Sequence, residues 1–341
     1  MKENDTLLNQ IHKSNCSQDH SAICQSILYS AYKHIGEVDA LYGCGTNLLM
    51  ETSSRIEHVM LGRKYEKALG MLGSDQVSTS TADVLYQAGL LKTLKQFGNS
   101  SQESSENRSY HLECSWRLSQ WDENLVEDAM LEKKQEFSAG RTLAVRALLQ
   151  DDKAACMKQI QRAYQAVTDN LGHEAFESTR AIYETLGKLR SLRELEILSE
   201  NLCLENDNEK ALETLRNLQE FDPMSFTFSE GTLLQRCVVV ENLSKKLHSF
   251  QTLSIDLSLD YINRCKAQSR HQLAWNRLEL LEQTVIGGTN CPVKLQLQFE
   301  RAKLLWESEE KDLAKLMLTQ LNDKIERKEV QAHRFVNLSC Q

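Results

Sequence analysis

Three features of this 341-residue chain bring together residue types that could do chemistry. The stretch "ALYGCGTNL" sets Gly43 and Gly45 on either side of Cys44. Such a loop cradles a phosphate when a strand leads into it and a helix N-terminus stands behind it. Residues 21–35 instead place Ile23, Cys24, Ile27, Leu28, Ala31 and Tyr32 at helical spacing, and no Gly-Lys-Ser/Thr follows. The stretch therefore reads as a turn that ends a helix, where glycine relieves the strain of a positive φ. In "HLEC", His111 and Cys114 lie one helical turn apart, as two metal ligands would, but a zinc site needs three or four ligands and no second pair is near. Ten cysteines are scattered singly from Cys16 to Cys340 with no CxxC, which is the pattern of small buried hydrophobes, as Cys237 in "LLQRCVVVENL" illustrates. His173 and His271 are isolated, and no acid–base pair accompanies them. No catalytic, cofactor-binding or metal-binding residue is assigned.

The elements that would position any site are helices. Only two prolines, Pro223 and Pro292, interrupt the chain, and a fold rich in strands and loops needs more turn residues than that. Periodicity places helices near residues 18–35, 53–72, 78–97, 110–119, 123–136, 140–150, 152–170, 173–187, 190–204, 208–220, 229–248, 252–268, 270–285, 292–308 and 310–328. A flexible segment is expected at 1–17 and a tail at 331–341, with a polar loop, "NSSQESSENRS", at 99–109. A net charge of -8 and the absence of a basic stripe argue against a nucleic-acid surface. No stretch has the ~18 apolar residues of a membrane span, and the first residues are too polar for a signal peptide, so a nuclear or cytosolic place is expected, with no membrane partner.

Short loops between helices make neighbours antiparallel, so the expected fold is all-α: an irregular α-solenoid of stacked helical hairpins, tetratricopeptide-like. Self-similarity supports this. "RALLQDDKAACMKQI" ends one helix at Gln150, turns and N-caps at Asp151 and Asp152, and opens the next helix at Ala154. "LLWESEEKDLAKLMLTQL" repeats the design, with Ala314 and Leu318 on the packing face; Ala211 with Leu215 and Ala68 with Leu72 share the spacing. A small Ala lets helices approach while the larger residue one turn on fills the groove between hairpins.

In "SWRLSQWD", Trp116 and Trp121 bracket a turn and are expected to anchor two helices; Trp306 closes a later helix and is expected to be buried in the same way. The W-R-x-x-x-W-D pattern resembles a signature of the FAT domain, the helical repeat domain that precedes the kinase domain in phosphatidylinositol 3-kinase-related kinases. "IGEVDALYGCG", "YEKAL", "YHLECSWRLSQWD", "SFTFSEGTLLQR" and "LQFERAKLLWESEEKDLAKLMLTQL" are similar, in this order, to segments of the ataxia-telangiectasia mutated (ATM)-like branch of that family, covering about residues 20–330.

The resemblance implies a FAT-type repeat domain over 18–330 that is not itself catalytic, since neither a DFG nor a catalytic loop of the family is present. It implies a parent serine/threonine kinase of the DNA-damage response, acting in the nucleus and using ATP with magnesium or manganese in a kinase domain outside this chain. The partners implied are that kinase domain, other proteins bound through helical surfaces, and a second copy of the parent in a homodimer. A free-standing adaptor that binds a peptide segment in a helical groove is the alternative. Kinases of this branch favour Ser or Thr before Gln, a context offered by Ser17, Ser101, Ser119 and Thr319; Ser101, in the polar loop, is the candidate phosphosite.

Overall fold

The computed structural model describes residues 23–32, 38–43, 52–62, 64–72, 79–100, 105–121, 136–171, 179–202, 212–217, 225–286 and 291–326. Among these there is no β-strand; the chain is an all-α array of helical hairpins. In order the helices are α1 (23–32), α2 (Val38–Gly43), α3 (Thr52–Leu61), α4 (Tyr65–Met71), α5 (Thr79–Ala88), α6 (Leu91–Ser100), α7 (Ser105–Arg117) and α8 (Glu136–Leu149). There follow α9 (Lys153–Leu171), α10 (Thr179–Leu202), α11 (212–217), α12 (Phe226–Lys246), a 3-10 turn at His248–Phe250, α13 (Gln251–Ala267), α14 (His271–Ile286), α15 (Cys291–Glu307) and α16 (Lys311–Glu326).

One turn geometry recurs at the tips. Gly89, Ser119, Asp151, Ser269 and Glu309 all have φ between +54° and +82°. At each, the N–H of that residue donates to the carbonyl three back, and the next N–H donates to the carbonyl five back. The pairs are Gly89 to Tyr86 with Leu90 to Leu85, Ser119 to Trp116 with Gln120 to Ser115, and Asp151 to Leu148 with Asp152 to Ala147. Ser269 to Lys266 with Arg270 to Cys265, and Glu309 to Trp306 with Glu310 to Leu305, complete the set. This is the Schellman motif, which satisfies helix-end carbonyls. Where the next helix follows at once, the second residue of the motif also starts it: the carbonyls of Leu90, Asp152, Arg270 and Glu310 accept from Leu94, Cys156, Ala274 and Ala314. Asp152 adds a side-chain N-cap, its Oδ1 accepting from the Ala155 N–H at 2.9 Å.

Several boundaries differ from the periodicity. The expected helix at 53–72 is two, parted at Gly62, and 78–97 is also two, parted at Gly89. Conversely, 173–187 and 190–204 contain one continuous helix, α10: Gly187 costs only about 1 kcal/mol in a helix interior, and Leu192, Leu195 and Leu198 continue a buried stripe beyond it. The polar stretch 99–109 is helical at both ends, in α6 and α7, because it holds no proline to stop either helix. The helix expected at 123–136 and the segments 1–17 and 331–341 lie outside the described residues, apart from Glu136, which opens α8.

The main core joins α7 to α10 and α12 to α15. Its axis is α12, in which Ser229 and every residue from Thr232 to Glu241 are buried. A helix apolar or enclosed all round belongs at the centre of a protein rather than on its surface. Helices α8 and α9 cross closely: a Cβ added to Gly140 would lie 2.9 Å from the Ala163 Cβ and 3.0 Å from the Gln159 carbonyl oxygen. A second apolar cluster, Ala82, Leu85, Leu91, Leu94, Cys114 and Leu118, binds α5 and α6 to α7.

Candidate functional site

The charges that α12 carries into the core have to be answered there, because a buried charge is tolerated only when paired and hydrogen-bonded. Each is met by a different helix. Glu230 receives both guanidinium nitrogens of Arg117 from α7, at 2.8 and 3.0 Å, and the Tyr261 hydroxyl from α13 at 2.6 Å. Arg236 grips Glu194 of α10 through two hydrogen bonds of 2.7 and 2.6 Å, while Gln235 donates to the Ser191 carbonyl at 2.9 Å. Glu241 accepts from Arg277 of α14 at 2.7 Å, and Arg277 also donates to the Ser258 hydroxyl. Three buried ion pairs thus fix α12 against α7, α10 and α14.

The pair at Arg117 is part of a larger cluster. Glu113, one turn earlier on α7, accepts from the Trp116 indole N–H at 3.0 Å, from Arg117 Nε at 3.4 Å and from Arg141 of α8 in a short ion pair. Trp116 is fully buried, with the Arg141 guanidinium 4.5 Å and that of Arg117 5.2 Å from its ring centroid. Both contacts are within cation–π range. Burial pushes the Glu113 carboxyl upward, but the charges of Arg141 and Arg117, with hydrogen bonds from Ser138 and Trp116, outweigh it and bring the pKa down to about 2. Glu230 goes the same way: burial opposes ionisation, and the Arg117 charge with hydrogen bonds from Arg117 and Tyr261 overcomes it, holding the carboxyl below its ordinary value. Burial also raises the Tyr86 and Tyr261 hydroxyls, keeping both as neutral donors to the cluster.

The W-R pair of "SWRLSQWD" is therefore the junction of α7, α8, α12 and α13. Trp121 is half-buried against the main core. Trp306 departs from its expected burial: it is 48 % exposed at the end of α15, where the turn that follows leads into α16 and the Lys311 ammonium lies 5.9 Å from the ring centroid. Leu318 is also more exposed than its spacing suggested, at 38 %, whereas Ala314 is fully buried. Ser101 and Ser17 lie outside the described residues. Ser119 occupies a left-handed turn with its hydroxyl buried, and Thr319 is exposed on α16 with its hydroxyl donating to the Lys315 carbonyl.

Cys114 of "HLEC" is buried in the α5–α7 cluster, and burial pushes its thiol up to about 12, as for an inert structural cysteine. Cys237 is driven up to about 11 for the same reason. Among the described residues no three His, Cys, Asp or Glu side chains converge on a point where a metal ion could sit, and none of their helices is long and apolar enough to cross a membrane. Gly43 ends α2, while Cys44 and Gly45 lie outside the described residues. The chemistry of the cluster is cross-bracing: its carboxylates are held ionised by guanidinium groups committed to them.

The family model for the FAT domain matches residues 108–340, more than half of the chain and inclusive of every residue of the main core. The chain belongs to the FAT domain family. This FAT chain is also 22 % identical over 327 residues to the serine-protein kinase ATM of Sus scrofa, a match covering 89 % of the chain but 10 % of that protein. It is 26 % identical over 175 residues to the serine/threonine-protein kinase ATM of Drosophila melanogaster, covering 49 % of the chain and 6 % of that protein. The FAT chain thus spans about a tenth or less of the length of these relatives.

The sequence singled out Trp116 and Trp121 but missed Glu113, Arg141, Glu194, Glu230, Arg236, Glu241 and Arg277. One signal was available: charges set at Glu230, Arg236 and Glu241 within the otherwise uncharged run "SEGTLLQRCVVVENL".

Proposed function

We propose that this chain is the non-catalytic FAT segment of an ATM-like serine/threonine kinase of the DNA-damage response, and that it scaffolds and regulates a kinase domain carried elsewhere in the parent protein, in the nucleus. The observation that carries this reading is the alignment along 89 % of the chain with a protein named as a kinase of which the match occupies only a tenth. The ionic bracing of α12 supports it physically, since a scaffold that passes a conformational signal needs helices held in one register rather than free to slide. ATP and a divalent cation act in the kinase domain, and no residue of this chain is assigned to them. The acidic balance of the chain, -8, favours protein partners over nucleic acid.

The test is to assay the parent's kinase domain with and without this segment in the same polypeptide. The reading predicts that the purified segment transfers no phosphate by itself, and that its removal or the Arg117→Ala change alters kcat/KM of the kinase. An unchanged kcat/KM in both cases would instead support the free-standing adaptor, for which the uncovered Leu313 and Leu316 on α16 offer an apolar docking face.

A further inference from the structure

The carbonyl end of α5 is capped from the far side of the molecule. A helix leaves its last four carbonyls without intrahelical partners, and the negative partial charge that gathers there favours a cationic side chain. In α5, Leu90 and Gly89 satisfy Leu85 and Tyr86 through the turn. The next carbonyl, Gln87, accepts from Arg270 Nη2 at 2.6 Å, and that of Gly89 accepts from Asn276 Nδ2 at 2.7 Å, residues 183 and 187 positions away in the sequence. Arg270 also donates to the Tyr65 hydroxyl at 3.1 Å, with its guanidinium 4.5 Å from the Tyr65 ring centroid, and Lys92 pairs with Glu279 at 2.6 Å where both side chains are about half exposed.

The two sides of this junction have separate apolar interiors. Leu85, Leu91 and Leu94 cluster with α7, whereas Leu273, Ala274 and Leu278 belong to the main core. Where they meet, Leu273 lies against Gly89, Leu91 and Leu273 line one small cavity, and the Asn276 bond is buried. The outer rim is polar: Arg270 is only partly buried and the Lys92–Glu279 pair about half exposed, so water can replace the bond of Arg270 to the Gln87 carbonyl if the junction parts. Such a rim opens at lower cost than a wholly apolar contact, because the separated groups regain hydrogen bonds to solvent. The geometry points to a latch: α4 to α6 form a flap that pivots on α7 and is bolted to the α13–α14 hairpin by Arg270 and Asn276 acting as a C-cap supplied in trans. The latch stands on this geometry alone and does not depend on the kinase reading.

Spin labels on genetically encoded keto amino acids at the exposed positions Thr93 and Gln283 would report the α6–α14 separation by pulsed dipolar spectroscopy. The unaltered chain should give one narrow distance distribution. Arg270→Ala combined with Asn276→Ala should add a second population longer by about a helix diameter, ~10 Å, with the far-ultraviolet helical signal unchanged. An unshifted narrow distribution in the double variant would overturn the latch, and so would cooperative loss of the helical signal, which would place the junction within the folding core.

Discussion

Trp116 and Trp306 each stand near the end of a helix that closes on a Schellman turn, yet one is fully buried and the other 48 % exposed. The difference lies in what each hairpin packs against. At Trp116, α7 meets α8 and also α12 and α13, whose partners for Arg117 arrive from 113 residues away. At the other end, α15 and α16 pack on each other and α15 on α14, so the outer side of the last hairpin carries Leu313 and Leu316 uncovered, at 53 % and 56 % exposure. A helix end therefore becomes an anchor only where a third or fourth helix covers it; the hairpin alone is not enough.

The sharpest way to break the comparison is to remove one side of a buried ion pair. Glu113→Ala would leave the Arg117 and Arg141 guanidiniums without the carboxylate they share, and should cost about 3–5 kcal/mol in denaturant-measured stability. Glu279→Ala, at the half-exposed pair with Lys92, should cost no more than about 1 kcal/mol. Trp116→Ala should cost about 3–5 kcal/mol. Because nearly half of Trp306 is already in water, Trp306→Ala should cost well under half as much. Equal losses at the two tryptophans would erase the distinction between the regions.

Acid should weaken the centre. The Glu113 pKa is depressed in the folded state to about 2, so its contribution to stability is fully present above the ordinary carboxylate pKa of ~4.3. That contribution is lost as the pH falls through the folded value, because the unfolded chain takes up the proton first. The stability of the unaltered chain should therefore fall between about pH 4.5 and pH 2, and Glu113→Gln should show a shallower decline over that range in chemical denaturation.

Close packing and turn strain set smaller effects. Gly140→Ala would press a Cβ to 2.9 Å from Ala163 and should destabilise by about 1–3 kcal/mol. Ser269→Gly, at φ 54°, relieves a left-handed side chain and should stabilise by up to about 1 kcal/mol, which a thermal melt would resolve.

Much of the fold was legible in the sequence because it is local: the scarcity of prolines and the 3.6-residue spacing depend on neighbours a turn apart. The turns were legible only in part. Gly89 marks one of the five left-handed positions among the described residues and Asp151 falls in a turn that the sequence placed, while Ser119, Ser269 and Glu309 adopt the same conformation without a residue type that advertises it. The bracing was hidden for a different reason. Arg117, Arg236 and Glu241 look like the polar face of a helix until α12 is seen to be enclosed, and their partners lie 36 to 113 residues away. The segment "SEGTLLQR" was picked out by resemblance, but Glu230 within it was not, and its pairing with Arg117 supplies the physical role of that residue.

The most direct test of ionic bracing at the centre is a double-mutant cycle on Arg117 and Glu230, with the four proteins, carrying Arg117→Ala, Glu230→Ala, both or neither, unfolded in urea. The structure predicts a coupling free energy of about 2–3 kcal/mol, in the range of residues that share a buried network. A coupling below about 0.5 kcal/mol, the additivity expected of independent sites, would show that α7 and α12 are held together by apolar packing and that the ion pair is incidental.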